Sequence, residues 1–262
     1  MKLVRARIQN FRSVEDSEEF SLDEHITCLV GKNESGKTTL LTALYRLNPI
    51  FDDAQFAWQK DYPRRHLSDY EERHEGKDAN VITTWWVIDP VEKQAITDRL
   101  GAGALASDEV VVQKGYDNIT NWTVSFDEAA IVRHLADNSG FNEDDKAHIV
   151  SAETVAELKA RTESLHEAAP GRWEFIQRID QDFPQGSVTQ GIVKLLVLPK
   201  FMQFSQYQRM QGQVSLDQIQ QRKWCNTLES SDQVFIALCE MASTTVEQVA
   251  SIQDFESLVS RG

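Results

Sequence analysis

Cysteine is scarce in this 262-residue chain: Cys28, Cys225 and Cys239 are the only three. None stands in a CxxC pair and each has apolar neighbours, which excludes a disulfide or zinc framework and leaves packed, reduced thiols as the expectation. Basic residues are outnumbered, 27 Lys and Arg against 41 Asp and Glu, for a formal net charge of −14. That balance excludes a general surface for gripping nucleic-acid phosphates, so any DNA contact would need a local basic patch. No run of about 18 apolar residues exists to span a membrane. The start, MKLVRARIQNFRS, lacks the apolar centre of a secretory signal, so a cytoplasmic protein without a membrane partner is expected, and the N-x-T triplets at Asn118 and Asn121 read as chance matches. His25, His66, His74, His134, His148 and His166 show no metal spacing such as HExxH, and there is no G-x-S-x-G nucleophile turn. Internal repeats and low-complexity linkers are also missing. What remains is 41% hydrophobic residues, enough to fill the core of one large domain or two small ones.

The first segment, residues 2–14, alternates as a strand should, with Leu3, Arg5, Arg7 and Gln9 on one parity and Val4, Ala6, Ile8 and Asn10 on the other. A solvated turn rich in Glu and Asp follows (Glu15, Asp16, Glu18, Glu19, Asp23, Glu24). The apolar run Ile26-Thr-Cys-Leu-Val30 then predicts a short buried strand. Beyond residue 38, Leu40, Leu41, Ala43, Leu44 and Leu47 recur at helical spacing until Asn48-Pro49 ends the helix. Residues 51–80 read as a long loop with some helix, carrying Phe51, Phe56, Trp58, Tyr62 and Tyr70. Strands are predicted over 81–88, 109–115 and 121–126, the last two joined as a hairpin through Tyr116-Asp117-Asn118, and together they suggest a small antiparallel sheet. Helices are predicted over 127–138 and 144–169, stopped by Pro170-Gly171; a strand interrupted by Pro199 is predicted over 195–204. From residue 216 onward the pattern is helical, through 233–242 and 245–258.

Between the predicted strand at Ile26 and the helix lies Gly31-Lys-Asn-Glu-Ser-Gly-Lys-Thr38. The spacing GxxxxGK[ST] is that of a P-loop, whose tight turn aims successive backbone N–H groups at a phosphate chain while the next helix adds its N-terminal donors. Gly31 and Gly36 supply backbone freedom and close approach. Lys37 would reach the β- and γ-phosphates, the Thr38 hydroxyl would ligate Mg²⁺, and Thr39 would assist at the α-phosphate. Average composition yields such a pattern by chance in roughly one chain in a hundred of this length, and the strand before it and helix after it are the context the motif demands. ATP with Mg²⁺ is therefore the expected ligand pair.

The segments Ile8-Gln-Asn-Phe11-Arg12-Ser13, Leu29 to Leu41 and Ala43-Leu44 together resemble the ABC-type ATPases of the SMC and RecF group, and among these most resemble the OLD-like ATPases. Asp61-Tyr-Pro-Arg-Arg65 and Leu198-Pro-Lys-Phe201, with Phe204 and Tyr207, are similar to OLD-like segments as well. The resemblance implies that Arg12 and Ser13 lie near the nucleotide phosphates and ribose. It adds Lys32, Asn33, Glu34 and Ser35 to the nucleotide-binding loop, with Asn33 matching the group's asparagine and Glu34 standing where SMC proteins more often have glycine. The fold it implies is α/β: a P-loop ABC-type ATPase lobe with an inserted antiparallel β-subdomain and a helical arm. The corresponding division is 1–50 for the ATPase core, 51–126 for a loop plus the β-subdomain, 127–215 for a helical region and return strand, and 216–262 for the arm.

Such heads hydrolyse ATP in pairs, one P-loop facing the partner head's signature segment, and each head carries a Walker B acid pair. Neither feature is visible here, so the catalytic residues are unassigned, and the expectation is the amino-terminal half of a head from a longer protein. The nearest Walker B look-alike, Trp85-Trp-Val-Ile-Asp89-Pro90, sits only some fifty residues after the P-loop, where the group has a structural strand ending in a polar turn. Gln203 and Gln206 are candidates for a Q-loop glutamine. The implied partners are a second copy of the chain bridged by ATP, an effector such as a nuclease, and DNA, with anti-phage defence or DNA maintenance in a prokaryote as the setting. A non-hydrolysing, ATP-gated scaffold and a small-molecule kinase are the alternatives, and the kinase lacks lid arginines at a suitable distance. Lys60, Arg64, Arg65 and His66 form a compact basic cluster; the acids Asp61, Asp69, Glu71 and Glu72 beside it favour a salt-bridged loop over a ligand surface.

Overall fold

The computed structural model describes residues 1–50, 54–166, 171–204, 214–225, 227–242 and 244–251. The chain divides into two compact units: Met1–Asn48 with Gln55–Pro199, and Pro49–Ala54 with Lys200–Gly262.

The first unit is built on a six-stranded antiparallel sheet of β1 (Lys2–Phe11), β2 (Val14–Asp16), β3 (Phe20–Ser21), β4 (Asn80–Val87), β5 (Leu105–Gly115) and β6 (Thr120–Phe126). Their order is β2-β1-β4-β5-β6, with β3 also on β1, so the first strand shares one sheet with the strands of 80–126. The alternation of β1 sets its faces. Ala6 and Ile8 are buried opposite Thr84 and Ile82, while Arg5 and Arg7 lie on the other face, where Arg5 stacks over the Trp85 ring at 5.0 Å. Trp85 and Trp86 therefore do point to opposite faces. The buried indole of Trp86 donates from Nε1 to Thr84 Oγ1 at 2.9 Å, and that hydroxyl donates to the Val112 carbonyl, so the polar atoms this pair buries are satisfied.

The helices that follow are α1 (Lys37–Leu47), α2 (Trp58–Asp61), α3 (Tyr70–Arg73), α4 (Pro90–Leu100), α5 (Glu128–Asp137), α6 (Glu143–Val150), α7 (Val155–Ser164), α8 (Arg172–Asp182) and α9 (Val188–Val193). α1 packs on β1 and β4 through Ala43, Leu44 and Leu47. The segment from Phe56 to His74 is pinned to the sheet by aromatic contacts: Phe56 meets Phe11 edge-on, and Tyr62 and Tyr70 surround Tyr116, whose hydroxyl donates to the Asn10 carbonyl at 2.6 Å. Asn118, left-handed at φ 58°, closes the β5–β6 hairpin and exchanges amide hydrogen bonds with the Phe56 backbone.

The structure departs from the sequence reading in several places, among them β3, α4, α8 and α9, which were not predicted. Residues 26–30 form no strand: Ile26 and Val30 are 76% and 93% exposed, and no described strand lies beside them to pair their backbone. Their entry is instead shaped by a local turn in which Asp23 Oδ1 accepts from the His25 and Ile26 amides. Cys28 is consequently exposed, as is Cys225, and only Cys239 is packed, its thiol pKa pushed up by burial. The helix predicted over 144–169 is two helices: α6 ends at Val150 with Ser151 as its C-cap, and Thr154 caps α7 by accepting from the Glu157 amide; residues 167–170 lie outside the described set. Finally, no strand forms over 195–204. Pro199 lacks an amide hydrogen, and a single bridge between Pro49 and Phe201 is the sheet-like pairing there.

The second unit contains α10 (Leu216–Trp224) and α11 (Ser230–Met241), with residues 246–251 also helical. Ile219, Val234, Ala237, Cys239 and Val246 are buried, and Arg222 pairs with Asp232 at 2.7 Å. The last part of the helix predicted over 245–258 lies outside the described residues. Among the described residues no helix is long and apolar enough to cross a membrane.

Candidate nucleotide site

The loop from Gly31 to Gly36 is exposed along most of its length and ends directly in α1. Two left-handed residues bend it, Glu34 at φ 65° and Gly36 at φ 91°. Gly36 needs to be glycine twice over, since a Cβ there would also meet Val14 Cγ2 at 3.0 Å. At Gly31 a Cβ would come 2.9 Å from Ser35 Oγ, so a side chain there would displace the serine hydroxyl that accepts from Lys37.

Gly36 is the N-cap of α1 and offers no side-chain acceptor, which leaves the first-turn N–H groups of the helix uncapped by protein. Their partial positive charge is the feature that suits an anion. Lys37 adds a full charge beside them. Its ammonium donates to the carbonyls of Gly31 at 2.8 Å and Lys32 at 2.6 Å and to Ser35 Oγ at 3.3 Å, all neutral acceptors, and no carboxylate pairs with it among the described residues. The ammonium thus organises the loop without being neutralised. The Thr38 hydroxyl is exposed and has no partner among the described residues, whereas Thr39 is buried with its hydroxyl 3.5 Å from Ser13 Oγ.

That contact brings the β1–β2 turn to the loop. Ser13 and Val14 lie against Gly36 and the start of α1, and Arg12 comes just before them. Arg12 is itself left-handed at φ 54°. Its amide donates to the Asp61 carbonyl at 2.5 Å, and its Nε donates to Asp61 Oδ1 at 3.1 Å. Arg46, from α1, donates to the other oxygen of the same carboxylate at 2.5 Å. Burial would raise the Asp61 carboxyl, but the hydrogen bonds from Arg46 and then Arg12 outweigh it and hold its pKa below the ordinary carboxylate value. At the other end of α1, Lys114 is buried and donates to the Arg46 and Leu47 carbonyls at 2.9 and 3.2 Å, a cationic cap on the helix C-terminus. Desolvation pushes the pKa of that ammonium down.

The structure therefore brings together Ser13, Gly31, Lys32, Ser35, Gly36, Lys37 and Thr39, holds the Arg12 side chain against Asp61, places Thr38 in the first turn of α1, and leaves the side chains of Asn33 and Glu34 on the exposed loop. Asp61, Arg46 and Lys114 had no sequence signal strong enough to single them out. Asp61 lies 49 residues from Arg12, and neither its place at the head of Asp61-Tyr-Pro-Arg-Arg65 nor the acids around the basic cluster pointed to a pairing with Arg12.

Asp89 is otherwise engaged. It is the N-cap of α4, accepting from the Val91 and Glu92 amides at 2.9 Å each, and its second oxygen accepts from the Met1 amino group at 3.1 Å. The Glu92 amide first and the Met1 amine second push its pKa down to about 2. In the basic cluster, Arg65 and His66 both pair with Glu15. Gln203 falls in the second unit, and Gln206 and Tyr207 lie outside the described residues. No group of three or more His, Cys, Asp or Glu side chains poised for a metal occurs among the described residues.

A mixed α/β layer carrying a phosphate-type loop at an uncapped helix N-terminus defines a P-loop nucleotide-binding domain. The family model of the AAA ATPase domain matches residues 1–162, more than half of the sequence, and the chain belongs to that family. No curated protein matches it.

Proposed function

We propose that the chain binds ATP with Mg²⁺ at Gly31–Thr38, as the ATPase head of an OLD-like or SMC-like assembly whose nucleotide state controls an effector. The observation that carries this reading is the pairing of an uncapped α1 N-terminus with a lysine held only by neutral acceptors, beside Ser13 and Arg12. Such a place has unspent positive charge and backbone donors at the spacing a triphosphate uses. Thr38 is the residue that would ligate Mg²⁺, and Mg²⁺ would neutralise charge on the β- and γ-phosphates.

The exposed apolar residues Ile26, Val30 and Leu41 flank the loop and support the assembly part of the reading, since apolar surface at a site edge favours cover from elsewhere. Hydrolysis would then depend on groups brought by that cover, and DNA-directed or anti-phage work would be the effector's. The acidic balance of the chain argues against DNA gripping by a general surface. Asp89 favours a second reading, an ATP-gated scaffold without turnover, because the one Walker B look-alike is spent on capping α4.

Equilibrium titration with ATP and Mg²⁺ tests the site. Lys37→Ala is expected to remove binding and Thr38→Ala to remove its Mg²⁺ dependence; full ATP affinity in Lys37→Ala would sink the assignment. Phosphate release measured in the natural assembly separates the two readings, since a scaffold assembles on ATP without releasing phosphate.

A further inference from the structure

The most unusual charge arrangement in the first unit lies not in the loop but around Asp61. Asp61 is 7% exposed and accepts from two arginines, so the triad of Arg12, Asp61 and Arg46 carries one net positive charge within a strongly acidic chain. Both guanidinium groups lie over the Phe11 ring, Arg12 at 5.0 Å and Arg46 at 5.5 Å, but Arg46 is 17% exposed and Arg12 41%, and the two terminal nitrogens of Arg12 have no hydrogen-bond partner among the described residues. The unneutralised charge is thus presented through Arg12. Arg12 also holds a left-handed backbone, a conformation that costs a non-glycine residue about 1 kcal/mol or more and persists only where surroundings impose it. Asp61 imposes it twice, through its carbonyl on the Arg12 amide and its carboxylate on Nε.

We propose that Asp61 is a positioning residue of the nucleotide site, locking Arg12 so that its terminal guanidinium nitrogens serve the phosphates while Arg46 holds the other carboxylate oxygen. The inference rests on the nucleotide reading of Gly31–Thr38. Asp61 touches no nucleotide itself. It spends Nε and the backbone of Arg12, fixing the fork's orientation before any ligand arrives, which lowers the ordering cost of binding.

The test is a double-mutant cycle on the whole chain, read as ATP affinity in the presence of Mg²⁺. Arg12→Ala and Asp61→Asn are each expected to weaken ATP binding about tenfold, the value of one charged hydrogen-bond contact. The double variant should be no weaker than Arg12→Ala by more than about twofold, because Asp61 acts only through Arg12. Wild-type affinity in Asp61→Asn, or a double variant showing the full product of both losses, would overturn the proposal, since a merely structural carboxylate would shift affinity in either background. If Asp61→Asn fails to fold, Arg12→Lys decides: it keeps the ion pair but loses the fork, so a loss as large as that of Arg12→Ala supports the proposal and wild-type affinity overturns it. Lys37→Ala runs alongside. Retained affinity there would overturn the nucleotide reading, whereas loss there with wild-type binding by Asp61→Asn would overturn the positioning role alone.

Discussion

The sheet platform and the loop it carries are built to opposite specifications. Around β1, β4 and β5, the backbone is paired on both sides and the aromatic segment from Phe56 to His74 is fastened by stacked rings and amide exchange. Around Gly31, the backbone is unpaired, the leading apolar residues are exposed, and the next helix begins without a cap. Burial in the first unit is thus concentrated in the sheet and the aromatic segment, while the first-turn amides of α1 are left without a protein acceptor.

Breaking the platform should cost most. Trp86→Ala removes a side chain 1% exposed and is expected to destabilise the first unit by about 3–5 kcal/mol in denaturant melts. Asp61→Asn comes next, at about 2 kcal/mol, since two arginines lose a charged acceptor and one of them is partly solvated. Asp61, Asp16 and Asp89 all titrate below their unfolded values in the folded chain, so their contributions are fully present above about pH 5 and fade as pH falls through the folded values. For Asp89 that loss extends down to about 2, so melts taken from pH 7 to pH 2 should show a steady decline beginning below about pH 5. Flat stability over that interval would show that these pairs contribute nothing.

Changes in the loop should be felt less in stability than in binding. Gly36→Ala meets both a left-handed backbone and Val14, and should cost about 1–2 kcal/mol together with nucleotide affinity. The smallest effect belongs to Val30→Ser. At 93% exposure the chain alone should stay within about 0.5 kcal/mol of wild type, and a larger loss would mean that residues 26–30 are packed in solution.

What could be read from the sequence divides along the same line. Strands β4, β5 and β6 were legible because each alternates and is bounded by turn residues, and the P-loop was legible because its chemistry is local. Thr154 was missed although Thr-x-x-Glu is a local capping signal, because the helical pattern on either side of it ran on without a visible break. Ile26–Val30 was misread since an apolar run reports a demand for burial and says nothing of whether neighbours stand ready to meet it. The Arg12, Asp61 and Arg46 triad was invisible for a different reason: its members meet only after the sheet and the aromatic segment have folded together.

Hydrogen exchange across the first unit, with and without ATP and Mg²⁺, tests the central claim most directly. Amides of residues 31–39 are expected to exchange fast alone and to be protected by the nucleotide, while those of β1, β4 and β5 are slow in both states. Loop amides unchanged at saturating ATP would contradict it.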